Sequence, residues 1–162
     1  MVKLPTIGFI GLGIMGTPMA LNLLKAGYKL VTWARRPSVL TPVVSAGASV
    51  ATLPHQVAAR SDVMILIVSD TSDVIELVEA MQPGMRSGHV LIDMSTIAPS
   101  KTRQLAEHLK LSGVEMLDAP VSGGQIGAQK ASLSIMVGGK SETLAQVRPI
   151  LTVLGQTIVH VG

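Results

Sequence analysis

Apolar segments rich in β-branched residues recur along the chain, and the gaps between them are long enough for helices. Seven such segments predict β-strands, at residues 6–10, 29–33, 63–68, 90–92, 114–117, 133–137 and 157–161. Several of these segments are apolar at consecutive positions. That pattern is typical of strands in a parallel sheet that helices cover on both faces.

Helical periodicity occupies most of the gaps. Apolar stripes at helical spacing predict helices over residues 14–25, 73–81, 99–111 and 141–154, with Ser141 as the expected N-cap of the last. Residues 120–132 hold three glycines and no clear period, so we expect a loop that leads into a late hairpin or an added strand. The alternation of strand and helix predicts one α/β domain over residues 1–162, built on a doubly wound, mainly parallel sheet.

Composition narrows the classes of partner. The formal charge is only +3, and the basic residues are scattered except at Arg35 and Arg36, so we expect no nucleic-acid partner. The longest uninterrupted apolar run, residues 63–68, is far short of the roughly 20 residues of a membrane helix, so we expect no membrane partner. The four histidines are dispersed and cysteine is absent, which predicts no metal site and suits a cytoplasmic protein.

A glycine motif lies between the first predicted strand and the first predicted helix. Gly11, Gly13 and Gly16 form G-x-G-x-x-G, in which the first glycine permits a tight turn and the second lets a pyrophosphate approach the backbone. The third glycine allows the helix to pack closely on the strand. The motif predicts a Rossmann fold with a dinucleotide on the helix N-terminus, and its intervening residues Leu12, Ile14 and Met15 belong to the predicted cofactor site. A glycine-rich turn without a ligand is the alternative.

The end of the second predicted strand indicates which dinucleotide binds. NAD sites commonly place an acidic residue there to hold the ribose 2′-hydroxyl, whereas this chain has Arg35 and Arg36. Guanidinium groups bind a 2′-phosphate through paired hydrogen bonds, so the sequence favours NADP, with NAD still possible. Alternatively, the two arginines only solvate a loop before Pro37. Val68 and Ser69, at the carboxyl end of another predicted strand, complete the cofactor site expected from the residues alone.

Three motifs follow one another along the chain: residues 9–16 (followed by Pro18-Met19-Ala20 and Asn22-Leu23), Asp93-Met94-Ser95-Thr96, and Asp118-Ala119-Pro120-Val121-Ser122-Gly123-Gly124. Together these motifs resemble the β-hydroxyacid dehydrogenases. The resemblance implies that Thr96 lies on the nicotinamide side of the cofactor, and that Ser122, Gly123 and Gly124 hold a substrate carboxylate.

Each of these loops also has a plainer interpretation. Ser122 and its two glycines can present a hydroxyl and unhindered N–H groups to an anion, but serine and glycine also dominate ordinary turns. Ser95 and Thr96 could serve only as N-cap residues for the helix that opens at Pro99.

The chain also departs from the family pattern. Val68-Ser69 stands where the family commonly has Leu-Pro, and Ala131-Ser132-Leu133 where it has Gly-Thr-Leu. The family's catalytic lysine lies on a helix after the strand that matches residues 157–161, and an all-helical domain follows it. No lysine occupies the matching place here, so we assign no catalytic residue to this chain. We expect it to bind cofactor and to be inactive alone, with the helical domain absent.

The resemblance implies hydride transfer between nicotinamide and a small 3-hydroxy acid or semialdehyde, as in the 3-hydroxyisobutyrate dehydrogenase and tartronate semialdehyde reductase subfamilies. The expected partner is a small substrate with a carboxylate. The resemblance implies a homo-oligomer for the full-length protein. The family builds its subunit contacts largely with the helical domain, so we assign no oligomeric state to this chain. Two alternatives stay open: a nucleotide-binding or regulatory module without catalysis, and an imine reductase that uses NADPH.

Overall fold

A computed structural model describes residues 3–162 of the chain. Its main sheet has six strands, β1 (Ile7–Ile10), β2 (Leu30–Trp33), β3 (Ser49–Val50), β4 (Val63–Leu66), β5 (Val90–Asp93) and β6 (Glu115–Asp118). The strand order is β3-β2-β1-β4-β5-β6, and every pairing is parallel. The order changes direction between β1 and β4, which opens a crevice at the carboxyl ends of these strands.

Seven α-helices connect the strands. They are α1 (Gly16–Lys25), α2 (Thr41–Ser45), α3 (Pro54–Ala59), α4 (Thr71–Met81), α5 (Pro99–Lys110), α6 (Gly124–Lys130) and α7 (Ser141–Leu154) within residues 3–162. Short 3-10 turns lie at Pro37–Leu40 and Gln82–Gly84. No helix in the described part of the chain is both long and apolar enough to cross a membrane.

The central strands are buried on both faces. Phe9 and Ile65 pack into a cluster with residues of α1 and α7, such as Leu23. Met64, which directly precedes Ile65 on β4, belongs to a separate cluster with residues of α3, α4 and α5, such as Val78. Successive residues of a strand point to opposite faces, so consecutive apolar positions fill two cores at once. The predicted doubly wound α/β fold is confirmed.

A second, three-stranded sheet follows the first. It consists of β7 (Val121–Ser122), β8 (Leu133–Val137) and β9 (Gly155–His160), with β7 antiparallel and β9 parallel to β8. An antiparallel bridge between Asp118 and Gly138 joins it to the end of β6. Of the two expected alternatives, the structure shows added strands in a sheet of their own, because α6 separates the antiparallel strands β7 and β8, which therefore form no tight hairpin.

The prediction of a continuous loop over residues 120–132 is wrong, because α6 occupies Gly124–Lys130. Glycines lower helix propensity, but tertiary contacts overcome that preference here. Gly127 and Ala128 are buried. The side-chain amide of Asn22 on α1 donates a 2.9 Å hydrogen bond to the Ala128 carbonyl. These contacts lie far apart in sequence, so local periodicity did not indicate the helix.

Two further predictions need correction. Ser141 is the first residue of α7, and Lys140 occupies the N-cap without a side-chain capping bond, so the predicted N-cap role of Ser141 is wrong. The apolar pattern also predicts no element over residues 37–59, which contain α2, β3 and α3. These elements are two to six residues long, too short to show a clear period.

Candidate functional site

The three motif glycines meet three different steric demands. Gly11 has a φ of +117°, and a Cβ there would overlap the backbone carbonyl of Ile67 on the neighbouring chain segment. A Cβ on Gly16 would overlap the carbonyl oxygen of Gly11, so the start of α1 lies directly on the turn. A Cβ on Gly13 would meet no atom within 4 Å. The turn is thus tight at its two ends and open in the middle.

The open middle of the turn leads to the N-terminus of α1. Among the hydrogen bonds of residues 3–162, the N–H groups of Gly13, Ile14 and Met15 donate to no backbone carbonyl. Met15 is the N-cap and makes no side-chain capping bond, and the first turn of the helix carries no acidic residue. Unpaired N–H groups and the helix dipole together favour an anion at this position.

A cavity of about 300 Å³ adjoins this turn at the carboxyl ends of β1, β2 and β4. Its volume lies at the lower end of the range of small-molecule sites. It brings together half of the residues predicted from the sequence: Gly11, Leu12, Gly13, Arg35, Arg36, Val68 and Ser69. The other predicted site residues lie outside its lining: Ile14, Met15, Gly16, Thr96, Ser122, Gly123 and Gly124.

The cavity is also lined by residues that the sequence pattern did not indicate: Ile10, Trp33, Ala34, Val39, Ile67, Asp73 and Leu77. Trp33 ends β2, as Ile10 ends β1, so its position at a strand end was a usable signal. Asp73 and Leu77 are four residues apart, which places them on one side of α4. That spacing alone does not say which side faces the cavity.

The two arginines at the end of β2 have different surroundings. Arg35 forms an ion pair with Glu76 of α4, with 3.0 Å between Nη2 and Oε1. Arg36 forms no ion pair within residues 3–162 and is exposed. Earlier on β2, the buried Thr32 hydroxyl donates a 2.7 Å hydrogen bond to the Phe9 carbonyl, and this bond stabilises the pairing of β2 with β1. The guanidinium groups therefore extend from a fixed strand end.

Side-chain hydrogen bonds join the ends of β4 and β5. The N–H of Val68 donates to the Ser95 hydroxyl at 2.9 Å, and the N–H of Ser95 donates to Oδ1 of Asp93 at 3.0 Å. The plainer interpretation of Ser95 as an N-cap of α5 is wrong, because Ala98 is the N-cap. Thr96, the adjacent residue, is exposed and does not cap the helix either.

Asp93 is a buried carboxyl group at the end of β5. Its pKa is raised to about 6, chiefly by burial and to a smaller extent by the nearby Asp118 carboxylate, while hydrogen bonds from Ser95 act in the opposite direction. Its Oδ2 atom has no hydrogen-bond partner within the described residues. Asp118 pairs in register with Asp93 at the end of β6, and burial raises its pKa as well. Two carboxyl groups thus lie side by side at the carboxyl ends of the neighbouring strands β5 and β6.

The loop after β7 presents backbone N–H groups in an unusual conformation. Gly123 and Gly124 have φ values of +136° and +62°, and both are exposed, as is Ser122. A Cβ on Gly123 would lie 3.2 Å from Cδ2 of Leu133, whereas one on Gly124 would meet no atom within 4 Å. The loop is therefore accessible from solvent, in a part of the structure separate from the cavity lining.

No group of three or more potential metal-ligating side chains occurs among residues 3–162. The site consists instead of backbone N–H groups, two guanidinium groups and an apolar wall. This arrangement suits an anionic ligand that has both a phosphate group and an apolar or aromatic part.

Comparison with known proteins places this site in context. Residues 6–162 match the family described as the NAD binding domain of 6-phosphogluconate dehydrogenase. The chain is 42% identical over 159 residues to 2-hydroxy-3-oxopropionate reductase of Escherichia coli strain K12, covering 96% of this chain and 54% of the relative.

Solved structures agree with this match. A 3-hydroxyisobutyrate dehydrogenase of Mycobacterium tuberculosis, with L-serine, is 34% identical with a TM-score of 0.94, covering 98% of this chain and 54% of that one. An imine reductase of Myxococcus stipitatus in complex with NADP⁺ is 25% identical with a TM-score of 0.91, covering 98% of this chain and 55% of that one. The chain spans about half the length of the relatives that it matches.

Proposed function

The chain is an NAD-binding domain of the 6-phosphogluconate dehydrogenase type and belongs to the β-hydroxyacid dehydrogenases, and on that premise we propose that it binds NADP(H). One observation carries the proposal: a single cavity contains both the open glycine turn and the two arginines at the end of β2. The first feature suits a pyrophosphate, and the second suits a 2′-phosphate.

The residues around the cavity fit the parts of a dinucleotide. The missing side chain at Gly13 leaves room for phosphate oxygens beside the free N–H groups of Ile14 and Met15. Arg35 and Arg36 offer charge-assisted hydrogen bonds to a 2′-phosphate. NAD remains the second candidate cofactor, because a site of this shape binds the part common to both dinucleotides.

The nicotinamide end is assigned to the ends of β4 and β5. Val68 and Ser69 line the cavity there, and the bond from Val68 to Ser95 fixes the loop that carries Thr96. The cofactor supplies the hydride when it is bound, and the protein orients the reacting groups. In this proposal Thr96 contacts the nicotinamide side, and Asp93 holds Ser95 in place through its backbone N–H.

The substrate class follows from the second loop. We assign Ser122, Gly123 and Gly124 to a substrate carboxylate, because the two exposed glycines have no side chains to shield their N–H groups beside the exposed Ser122 hydroxyl. The proposed reaction is hydride transfer to or from a small 3-hydroxy acid or semialdehyde. The same loop argues against an imine reductase, because an imine substrate would not require a carboxylate site.

The domain assignment is also part of the proposal. Residues 1–162 would form the cofactor-binding domain, and the proton-transferring lysine would come from outside these residues. Positioned proton transfer typically contributes about 10² to 10⁴ in rate, so we expect this chain alone to bind cofactor and to turn over little. Robust reduction of tartronate semialdehyde by the isolated chain would contradict this expectation. We further expect the full-length protein to be a cytoplasmic homo-oligomer.

Calorimetric titration with NADPH and, separately, NADH at identical salt tests the cofactor assignment. We expect tighter binding of NADPH, and loss of that preference in the double variant Arg35→Asp, Arg36→Ala. The matched control is Arg103→Ala with Arg148→Ala, which removes two exposed arginines from α5 and α7. Equal binding of both dinucleotides by the unmodified chain would contradict the assignment to NADP(H). Binding of neither would favour a structural role for the glycine turn.

A further inference from the structure

The two arginines that the proposed function assigns to the 2′-phosphate are not equivalent. Nη2 of Arg35 lies 3.0 Å from Oε1 of Glu76, whereas Arg36 has no carboxylate partner among residues 3–162. The Arg35 and Glu76 side chains are 54% and 67% exposed, so a ligand can reach the pair from solvent. The cavity therefore contains one guanidinium that is already paired and one that is not.

We propose that Glu76 is a specificity-determining residue that weakens the preference of this site for NADP(H) over NAD(H). The proposal rests on the proposed function, because it concerns the same phosphate. The Glu76 carboxylate and the 2′-phosphate of the ligand compete for the Arg35 guanidinium, since both are anions with oxygen acceptors for its N–H groups. Arg36 is then the first ligand of the phosphate, and Arg35 binds it only at the expense of its bond to Glu76.

Charge repulsion acts in the same direction. A phosphate monoester carries close to two negative charges at neutral pH, so a carboxylate beside its site opposes binding. The 2′-hydroxyl of NAD is neutral and meets no such opposition. Asp73, one turn before Glu76 on α4, lines the cavity and adds a second negative charge on the same side. Glu76 should therefore weaken the binding of NADPH and leave the binding of NADH nearly unchanged.

The helix that carries Glu76 is anchored at its N-terminus and along its apolar face. Asp70 is the N-cap of α4, and its Oδ1 accepts hydrogen bonds from the N–H of Asp73 at 3.1 Å and from the Ser72 hydroxyl at 2.7 Å. Val74 and Leu77, on either side of the Glu76 position, are buried in the apolar core. Glu76 is thus an exposed position on an anchored helix.

The ion pair itself contributes little to the stability of the fold. Exposed pairs between long side chains are weak, because solvent screens the charges and both side chains lose freedom. Replacing Glu76 with glutamine should therefore leave the folded chain intact. Glu79, one turn further along α4, is also exposed and lines a different groove, between α4 and α5. Glu79→Gln makes the same charge change on the same helix and serves as the matched control.

The test measures the dissociation constants of NADPH and NADH for the unmodified chain, Glu76→Gln and Glu79→Gln at low salt. We expect Glu76→Gln to lower the dissociation constant of NADPH by about two- to fivefold, the range that the free energies of exposed ion pairs set, and to leave that of NADH nearly unchanged. Glu79→Gln should leave the ratio of the two constants as in the unmodified chain. Equal ratios for all three proteins would overturn the role of Glu76, while the proposed function would stand.

Two arginine variants complete the test. In the unmodified background, Arg36→Ala should weaken NADPH binding more than Arg35→Ala does. In the Glu76→Gln background, the loss caused by Arg35→Ala should grow, because that guanidinium is then free for the phosphate. An unchanged loss in both backgrounds would contradict the competition. Failure of the unmodified chain to bind either dinucleotide would overturn this proposal together with the proposed function.

Discussion

The two ends of the candidate site are built in opposite ways. The glycine turn depends on atoms that are missing, since a Cβ on Gly11 or Gly16 would overlap a backbone carbonyl. The ends of β4 and β5 depend on atoms that are present, namely the Ser95 hydroxyl that joins them and the Asp93 carboxylate that holds the Ser95 N–H. Adding a methyl group should therefore damage the first region, and removing a polar group should damage the second.

The largest effect is expected for Gly11→Ala. The φ of +117° is unfavourable for alanine, and the new Cβ would overlap the Ile67 carbonyl between β4 and the cavity. We expect a loss of about 3 kcal/mol or more in the free energy of unfolding, the range of severe backbone and packing defects. Urea unfolding measures it. Gly47→Ala is the control, because Gly47 has a similar φ of +110° and open space around it. Equal losses in both variants would show that the overlap is unimportant.

Gly13→Ala separates binding from folding at the same turn. No atom lies within 4 Å of the new methyl group, so we expect the unfolding midpoint to change little. The methyl group would occupy space that the phosphates need. Overpacking costs about 1 to 3 kcal/mol, so we expect NADPH binding to weaken by about 5- to 150-fold. Calorimetry and thermal unfolding of one preparation give both quantities. An unchanged affinity for NADPH would contradict the placement of the phosphates at this turn.

Asp93→Asn tests the buried carboxyl group through the pH dependence of stability. The folded pKa of about 6 exceeds the ordinary value of 3.8, so the folded chain keeps this proton to higher pH than the unfolded chain does. The resulting stabilisation is complete below about pH 4 and is lost as the pH rises to about 6. Relative to Asp93→Asn, the unmodified chain should lose about 2 kcal/mol between pH 4 and pH 7.

Unfolding by urea at several pH values measures this difference. Asp118 is the carboxyl group that pairs with Asp93 in the sheet, so Asp118→Asn should lower the pKa of Asp93 slightly. The pH range over which the chain loses stability should then become narrower. Parallel stability curves for the unmodified chain and Asp93→Asn would contradict a raised pKa. Asparagine can still accept the hydrogen bond from the Ser95 N–H, so the loop geometry is retained.

The smallest effect is expected for Ser95→Ala. The variant leaves the half-buried Val68 N–H without its acceptor, which should cost about 1 to 2 kcal/mol of unfolding free energy. Because Val68 lines the cavity, NADPH binding should weaken by several-fold as well. Ser100→Ala, at an exposed position of α5, is the control and should change neither quantity. A stability loss without any change in affinity would separate this bond from the nucleotide site.

These regions also differ in how far the sequence predicted them. The turn was predictable because its demands fall on six consecutive residues that follow a strand, and backbone sterics specify glycine there. The strand positions were predictable because buried parallel strands are apolar at successive positions. Gly13, Arg35 and Val68 could thus be assigned to one site before any coordinates were known.

The remaining features depend on contacts between distant segments. Ser95 lies 27 residues from Val68, and Glu76 lies on a helix far along the chain from Arg35. Asn22 and Ala128, whose contact supports α6, are separated by 106 residues. Residue type and spacing do not specify such pairs. The contacts of Glu76 and Ser95 and the helix over Gly124–Lys130 therefore emerged only from the folded structure.

A dinucleotide bound with its phosphates over the glycine turn would change the magnetic environment of that turn. An NADPH titration of the ¹⁵N-labelled chain, followed by backbone amide and Trp33 indole resonances, measures this change. We expect the largest shifts at Gly11, Gly13 and Ile14, with Trp33, the single tryptophan of the chain, responding in parallel. Shifts that spare the turn and concentrate in the groove between α4 and α5 would contradict binding at the turn.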